Sequence, residues 1–433
     1  MNASRVPKQA VVLIHGIGEP VPMDTLHGFV NAVWTTDSSL RGSNVPSTAW
    51  SKPDNISEDY ELRRLTTAEN HQGKQTDFFE FYWADHMSDT RIGHVTAWIK
   101  VLLLRRPSRV PAQLRGLWWF LVILAILLAV GAAIYKFDLV TEPKWLVPTL
   151  GVIGLVAWIG ASGFLITYAG DAARYLHVAP PNIGARRKIR EAGIKLIQKL
   201  HESKKYDRII VVGHSLGTVI GYDILTHLWP RYYYQHVNKP PPSGPVKLDR
   251  AEDLARQKPD ASFAPTFQTA QSEYLGEIHG QTNQWLVTDF VTMGSPLAHA
   301  SVLMVRNVEE FNRKKAEREF PTCPPFLETV AGQERFSFKP DEVWVPHHAA
   351  VFAVTRWTNL YFPCRFTLWG DVIGGPVAPA FGPGVRDVPV VTNIFGGIFS
   401  HTAYWKTPAD QPPGTTPSHI AELRKAVRIC ITK

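Results

Sequence analysis

The feature that most constrains the chain is a five-residue stretch, Gly213-His214-Ser215-Leu216-Gly217, set directly between an apolar β-branched run and a helical pattern. The run before it, Arg208 to Val212, reads RIIVV, the composition of a strand buried on both faces. From Leu216 to about Trp229 the apolar residues recur at helical spacing. A serine at such a turn sits on a sharply bent backbone, at the N-terminus of the next helix. Gly213 and Gly217 leave room for that bend and for close packing of helix on strand. The strand must end at an open sheet edge with helices beside it, which implies an α/β protein with a mostly parallel sheet flanked by helices.

Other segments fit this layout. Gln9 to Ile14 reads as a buried strand running into a glycine-rich turn, His15-Gly16-Ile17-Gly18. Asp24 is placed to cap a helix reaching about Trp34. Residues 41–58 are polar, contain Pro46 and Pro53, and read as loop. Glu61 to Thr67 and the aromatic run Asp77 to Trp83 read as strands, the second a central one. Arg186 to His201 is an amphipathic helix and 237–284 a polar surface excursion. Trp285 to Met293, Val351 to Phe362 and Val388 to Thr392 are the later strands, with a helix expected over Leu297 to Glu319.

Two stretches break the pattern. Gly116 to Tyr135 and Trp145 to Gly170 carry no charge, and each meets the roughly 20 residues that cross a bilayer core. They predict an inserted transmembrane hairpin over 116–170, with helices at 116–135 and 145–170. Gly151, Gly154, Ala157 and Ala161 would let the two helices, or two copies of the chain, approach closely, so oligomerisation through helix packing is possible. Lys100, Arg105, Arg106, Arg109 and Arg115 precede the hairpin, and Arg174, Arg186, Arg187, Lys188 and Arg190 follow it. Basic flanks place both on the cytoplasmic side. The expectation is an integral protein of a bacterial inner membrane, with 95–115 as an interfacial basic segment and 1–94 and 171–433 forming one catalytic domain on the cytoplasmic face.

The net charge of +8 is concentrated in those flanks, so it points to a bilayer and away from nucleic acid, whose recognition motifs are missing. Three cysteines, Cys323, Cys364 and Cys430, match neither a disulfide framework nor a metal site. The N-terminus lacks the apolar core of a secretory signal.

The chemistry to expect is acyl transfer by a serine. Such a site needs backbone N–H groups aimed at the developing oxyanion. Leu216, after the nucleophile, and Ile17, in the loop flanked by Gly16 and Gly18, are the candidates. His15 reads as a structural hydrogen-bonding group. In sheets carrying this kind of turn the order is serine, acid, histidine. His401 in FSHTAYW (399–405) is the candidate base; His299, His347 and His348 compete less well. Asp371, in the loop after Val351 to Phe362, is the candidate acid, with Asp387 as runner-up.

Four stretches, VVLIHGIGE (11–19), VVGHSLGTVIGYDIL (211–225), VTMGSPL (291–297) and FSHTAYW (399–405), resemble lipase-like α/β-hydrolases, near the group of GPI inositol-deacylase-like proteins. The resemblance implies an α/β-hydrolase fold and ester hydrolysis through an acyl-enzyme, with Ser215, Asp371 and His401 as triad and without metal or organic cofactor. A hairpin beside such a site would make a membrane lipid ester the substrate. The same residues also serve an acyltransferase or a thioesterase, and a catalytically silent, membrane-tethered binding protein is a further alternative.

Overall fold

The structure is a computed structural model. It describes residues 6–17, 21–40, 45–57, 60–87, 175–176, 180–235, 246–280, 283–340, 343–364, 370–391, 400–407 and 416–429, with scattered positions between 115 and 154. Eight strands form the main sheet: β1 (Lys8–Ile14), β2 (Trp50–Pro53), β3 (Arg63–Thr66), β4 (Gln75–Phe81), β5 (Arg208–His214), β6 (Val287–Met293), β7 (Arg356–Tyr361) and β8 (Arg386–Pro389). Their spatial order is β8-β7-β6-β5-β1-β4-β3-β2. From β8 to β4 the strands are parallel; β3 and β2 join antiparallel at one edge. Ile14 of β1 is level with Phe81 on one side and Gly213 on the other, so the strands end together and their following loops share one edge.

The helices used below are α1 (Asp24–Val30), α2 (Pro180–Glu202), α3 (Leu216–Leu228), α4 (Val246–Arg256), α5 (Phe263–His279), α6 (Val308–Ala316) and α7 (Ser418–Ala426). Side chains alternate across a strand, so each parallel strand feeds two cores. Val12, Ile14, Phe79, Ile209 and Val211 meet Ile197 of α2 and Ile220 of α3 on one face. Val11, Leu13, Phe78, Ile210 and Val212 meet Phe29 of α1, Leu423 of α7 and Val427 just after it on the other. This explains the continuous apolar runs AVVLI and IIVV, since neither face is left to water. The last helix is tied to the first part of the chain: Arg424 donates to the Ala32 carbonyl at 2.7 Å, and Gln9 donates to the Val427 carbonyl at 3.4 Å.

Several expectations are corrected. The loop assigned to 41–58 contains the edge strand β2. The polar excursion 237–284 contains α4 and α5, and α5 buries Phe263, Phe267, Ala270, Tyr274 and Ile278 against the sheet. The single helix expected over Leu297 to Glu319 is divided; α6 starts afresh where the Asn307 side chain accepts from the Glu310 amide at 2.8 Å.

The largest correction concerns the membrane. Among the described residues no helix is long and apolar enough to cross a bilayer, so the integral membrane protein and its transmembrane hairpin are not supported. A charge-free run of twenty residues meets the compositional requirement, whereas a span also needs one helix of that length. The interfacial segment up to residue 114 and most of 116–170 lie outside the described residues.

Candidate active site

β5 delivers Ser215 to the strand-end edge. Its backbone has φ 52° and ψ −126°, a left-sided conformation that a serine adopts only when its surroundings impose it. The imposing contacts are identifiable. The Ser215 amide donates to the Met293 carbonyl at the end of β6 at 2.9 Å. Its carbonyl accepts from the Thr218 amide at 3.0 Å and the Thr218 hydroxyl at 2.7 Å. Gly217 then passes against β1 so closely that a Cβ would stand 2.2 Å from the Ile14 carbonyl oxygen. Gly16 lies against the serine itself; a Cβ there would be 2.9 Å from Ser215 Cβ and from His214 Nδ1. Gly213, inside β5, faces the Gly217 carbonyl at a hypothetical 2.7 Å. Gly18 lies outside the described residues.

His401 and Asp371 are brought together as the order along the chain suggested. His401 Nδ1 stands 2.9 Å from both carboxylate oxygens of Asp371. Asp371 is 0 % exposed, and its Oδ1 also accepts from the Ile373 and Gly374 amides at 2.9 Å. Burial alone would raise this carboxyl, but the His401 ring and the hydrogen bonds bring it down to about 2. The carboxylate is therefore charged at neutral pH. Because it only accepts, it fixes the Nδ1–H form of His401 and leaves Nε2, itself buried, as the basic nitrogen.

Gly294, at φ 58°, is the hinge between the two halves of the site. A Cβ on it would lie 2.9 Å from Asp371 Oδ2 and 3.0 Å from His401 Cε1, and the preceding Met293 carbonyl receives the Ser215 amide. Ser215 is 2 % exposed and His401 4 %, and Ser215 Oγ is buried without a hydrogen-bond partner among the described residues. The amide of Leu216 stands at the first position of α3, and Ile17 follows Gly16 beside the serine, so both expected oxyanion donors border the same spot.

The other histidines have visible roles. His15 donates from Nδ1 to the Gly16 carbonyl at 2.8 Å, and its Nε2 accepts from the Trp83 amide at 3.2 Å. Both ring nitrogens are engaged, the ring stacks on Trp83, and burial pushes its pKa down to about 4, so it is a structural group. His299 and His347 are likewise buried and held down to about 4 by that burial. Asp387 sits in β8, accepting from Asn359 at 2.7 Å and from the Val377 and Ala378 amides at 2.9 Å, away from His401.

Two neighbours were not singled out from the sequence. His214 Nε2 donates to the His401 carbonyl at 2.8 Å, with the two rings 5.0 Å apart. Tyr404 donates to Asp371 Oδ2 at 2.7 Å. Their signal was positional: one adjoins the serine and the other lies one turn after the histidine in motifs already marked. A separate cavity of about 470 Å³, lined by Tyr175, Arg186, Arg190, Asp223 and Lys314 among others, contains no triad residue. No protein-family model, curated protein or solved structure matches the chain.

Proposed function

We propose that the chain is a serine hydrolase of the α/β-hydrolase type that cleaves a carboxylic ester through an acyl-enzyme. The observation that carries the reading is the left-sided backbone of Ser215 at the β5–α3 turn, beside a buried Asp371–His401 pair. His401 Nε2 takes the Ser215 proton as Oγ attacks the ester carbonyl. The amides of Leu216 and Ile17 donate to the oxyanion. The tetrahedral intermediate collapses, His401 protonates the departing alcohol, and water repeats the sequence to release the acid. Asp371 stays ionised and stabilises the imidazolium. A membrane lipid was expected from the hairpin; without a span to argue from, the reading names a carboxylic ester of unspecified acyl and alcohol parts.

The near-complete burial of Ser215 and His401 supports a second reading, a catalytically silent binding protein on the same frame. Labelling by a fluorophosphonate probe separates the two. The wild type is expected to label, and Ser215→Ala and His401→Ala to lose labelling by about 10⁴-fold or more. A folded wild type that never labels would leave the silent reading in place.

A further inference from the structure

The acid of the triad carries one donor that the mechanism above does not use. Tyr404 is 1 % exposed, and its hydroxyl donates to Asp371 Oδ2 at 2.7 Å. The same oxygen accepts from the Phe362 amide, just past β7, at 3.2 Å. A hydroxyl has one proton to give, and with an amide directed at its lone pair that proton goes to the carboxylate. The ring is held by Phe362 at 4.5 Å between centroids and by His214 at 5.9 Å.

We propose that Tyr404 is a positioning residue of the triad, which draws part of the Asp371 charge away from His401 and so sets the acid limb of the reaction's pH profile. The proposal rests on the serine-hydrolase reading. A carboxylate that shares its charge with neutral donors attracts an imidazolium less strongly. In a site as enclosed as this one water screens little, so a single donor matters. Without the hydroxyl, Oδ2 faces His401 alone, an imidazolium there is better stabilised, and the acid limb of the rate moves to higher pH. Other titratable groups that act on the pair are His214, with His15 behind it, and, around the carboxylate, His299 and Cys364. None of them is altered by a change at Tyr404.

The test is the rate of fluorophosphonate labelling of the full chain from pH 4 to 9, wild type beside Tyr404→Phe, with melting temperature in parallel. The acid limb of Tyr404→Phe is expected about half to one pH unit above that of the wild type, with the high-pH plateau within roughly tenfold. Replacement of Tyr404 by 3-fluorotyrosine, whose hydroxyl donates more strongly, moves the limb the other way and serves if Tyr404→Phe does not fold. A limb that coincides with the wild type's while the melting temperature falls reduces Tyr404 to a packing role and overturns the proposal. Absence of labelling in the wild type at every pH removes the serine-hydrolase reading first, and this one with it.

Discussion

The two ends of the parallel sheet both bury carboxylates, and they satisfy them in opposite ways. At the N-terminal ends of the strands, Asp289 of β6 receives Arg356 Nε and Nη2 at 2.9 and 2.7 Å, with Arg428 at 3.4 Å. Asp77 of β4 receives Lys8 at 2.9 Å, together with the hydroxyls of Thr66 and Tyr206 at 2.8 Å. At the C-terminal end, Asp371 receives two amides, a tyrosine hydroxyl and an imidazole, and among the described residues no lysine or arginine pairs with it. A carboxylate matched by arginine is fixed in charge and stitches neighbouring strands. One matched by neutral donors and histidine has no permanent cation beside it, and the imidazole is the group that can supply or withdraw the balancing charge. On the proposed serine-hydrolase reading, the difference separates an edge held for cohesion from one that would serve proton transfer.

That contrast can be broken at either end. Asp371→Asn should lower kcat/KM for a short-chain p-nitrophenyl ester on the order of 10³- to 10⁴-fold in protein that remains folded. Unchanged turnover would remove Asp371 from the triad. Next in size is the response to acid. His15, His201, His299 and His347 are held to about 4, and His214 to about 3, in each case chiefly by burial. Unfolded, each titrates near 6.5, so the unfolded chain binds more protons over that interval. Stability is complete above about pH 6.5 and is lost as pH falls towards 4, with each of these histidines contributing to the loss. The depressed Asp371 adds a further loss below about pH 4, as its own value near 2 is approached. A melting temperature flat from pH 7 to 4 would contradict this. Smallest is Arg356→Met, which strands most of the Asp289 charge and should cost about 3 kcal/mol in denaturant titrations while the labelling rate of folded protein is unchanged. Equal loss of labelling would mean that the two ends are coupled.

Much of the sheet was legible because its centre is simple. In β1 and β5 no face reaches water, so composition and strand length coincide, and the serine turn follows directly from RIIVV. Chain order then located His401 and Asp371, which the structure brings to 2.9 Å. What the sequence hid lies at the margins. β2 is WSKP, exposed throughout and ending in proline, so it has neither alternation nor propensity. In α5 the apolar stripe Phe263, Phe267, Ala270, Tyr274, Ile278 is regular but diluted by polar residues on the outer face, and the segment's average polarity concealed its period. Tyr404 lay inside a marked motif, but its role was hidden for a different reason: a hydrogen bond to a residue thirty-three positions away leaves no local pattern. For the membrane hairpin, hydropathy met the composition of a span, whereas no helix among the described residues is long and apolar enough to cross a bilayer.

The attachment of α7 has a consequence for how the molecule comes into being. β1 lies inside the sheet and is made first, but the face carrying Val11 and Leu13 shares its core with Leu423 and Val427, and Arg424 holds the Ala32 carbonyl across 392 positions. A growing chain therefore exposes this face of a sticky central strand until α7 has been made. Closure joins the most distant contacts last, which makes folding slow, favours a chaperone during translation, and makes truncation before residue 418 a route to aggregation.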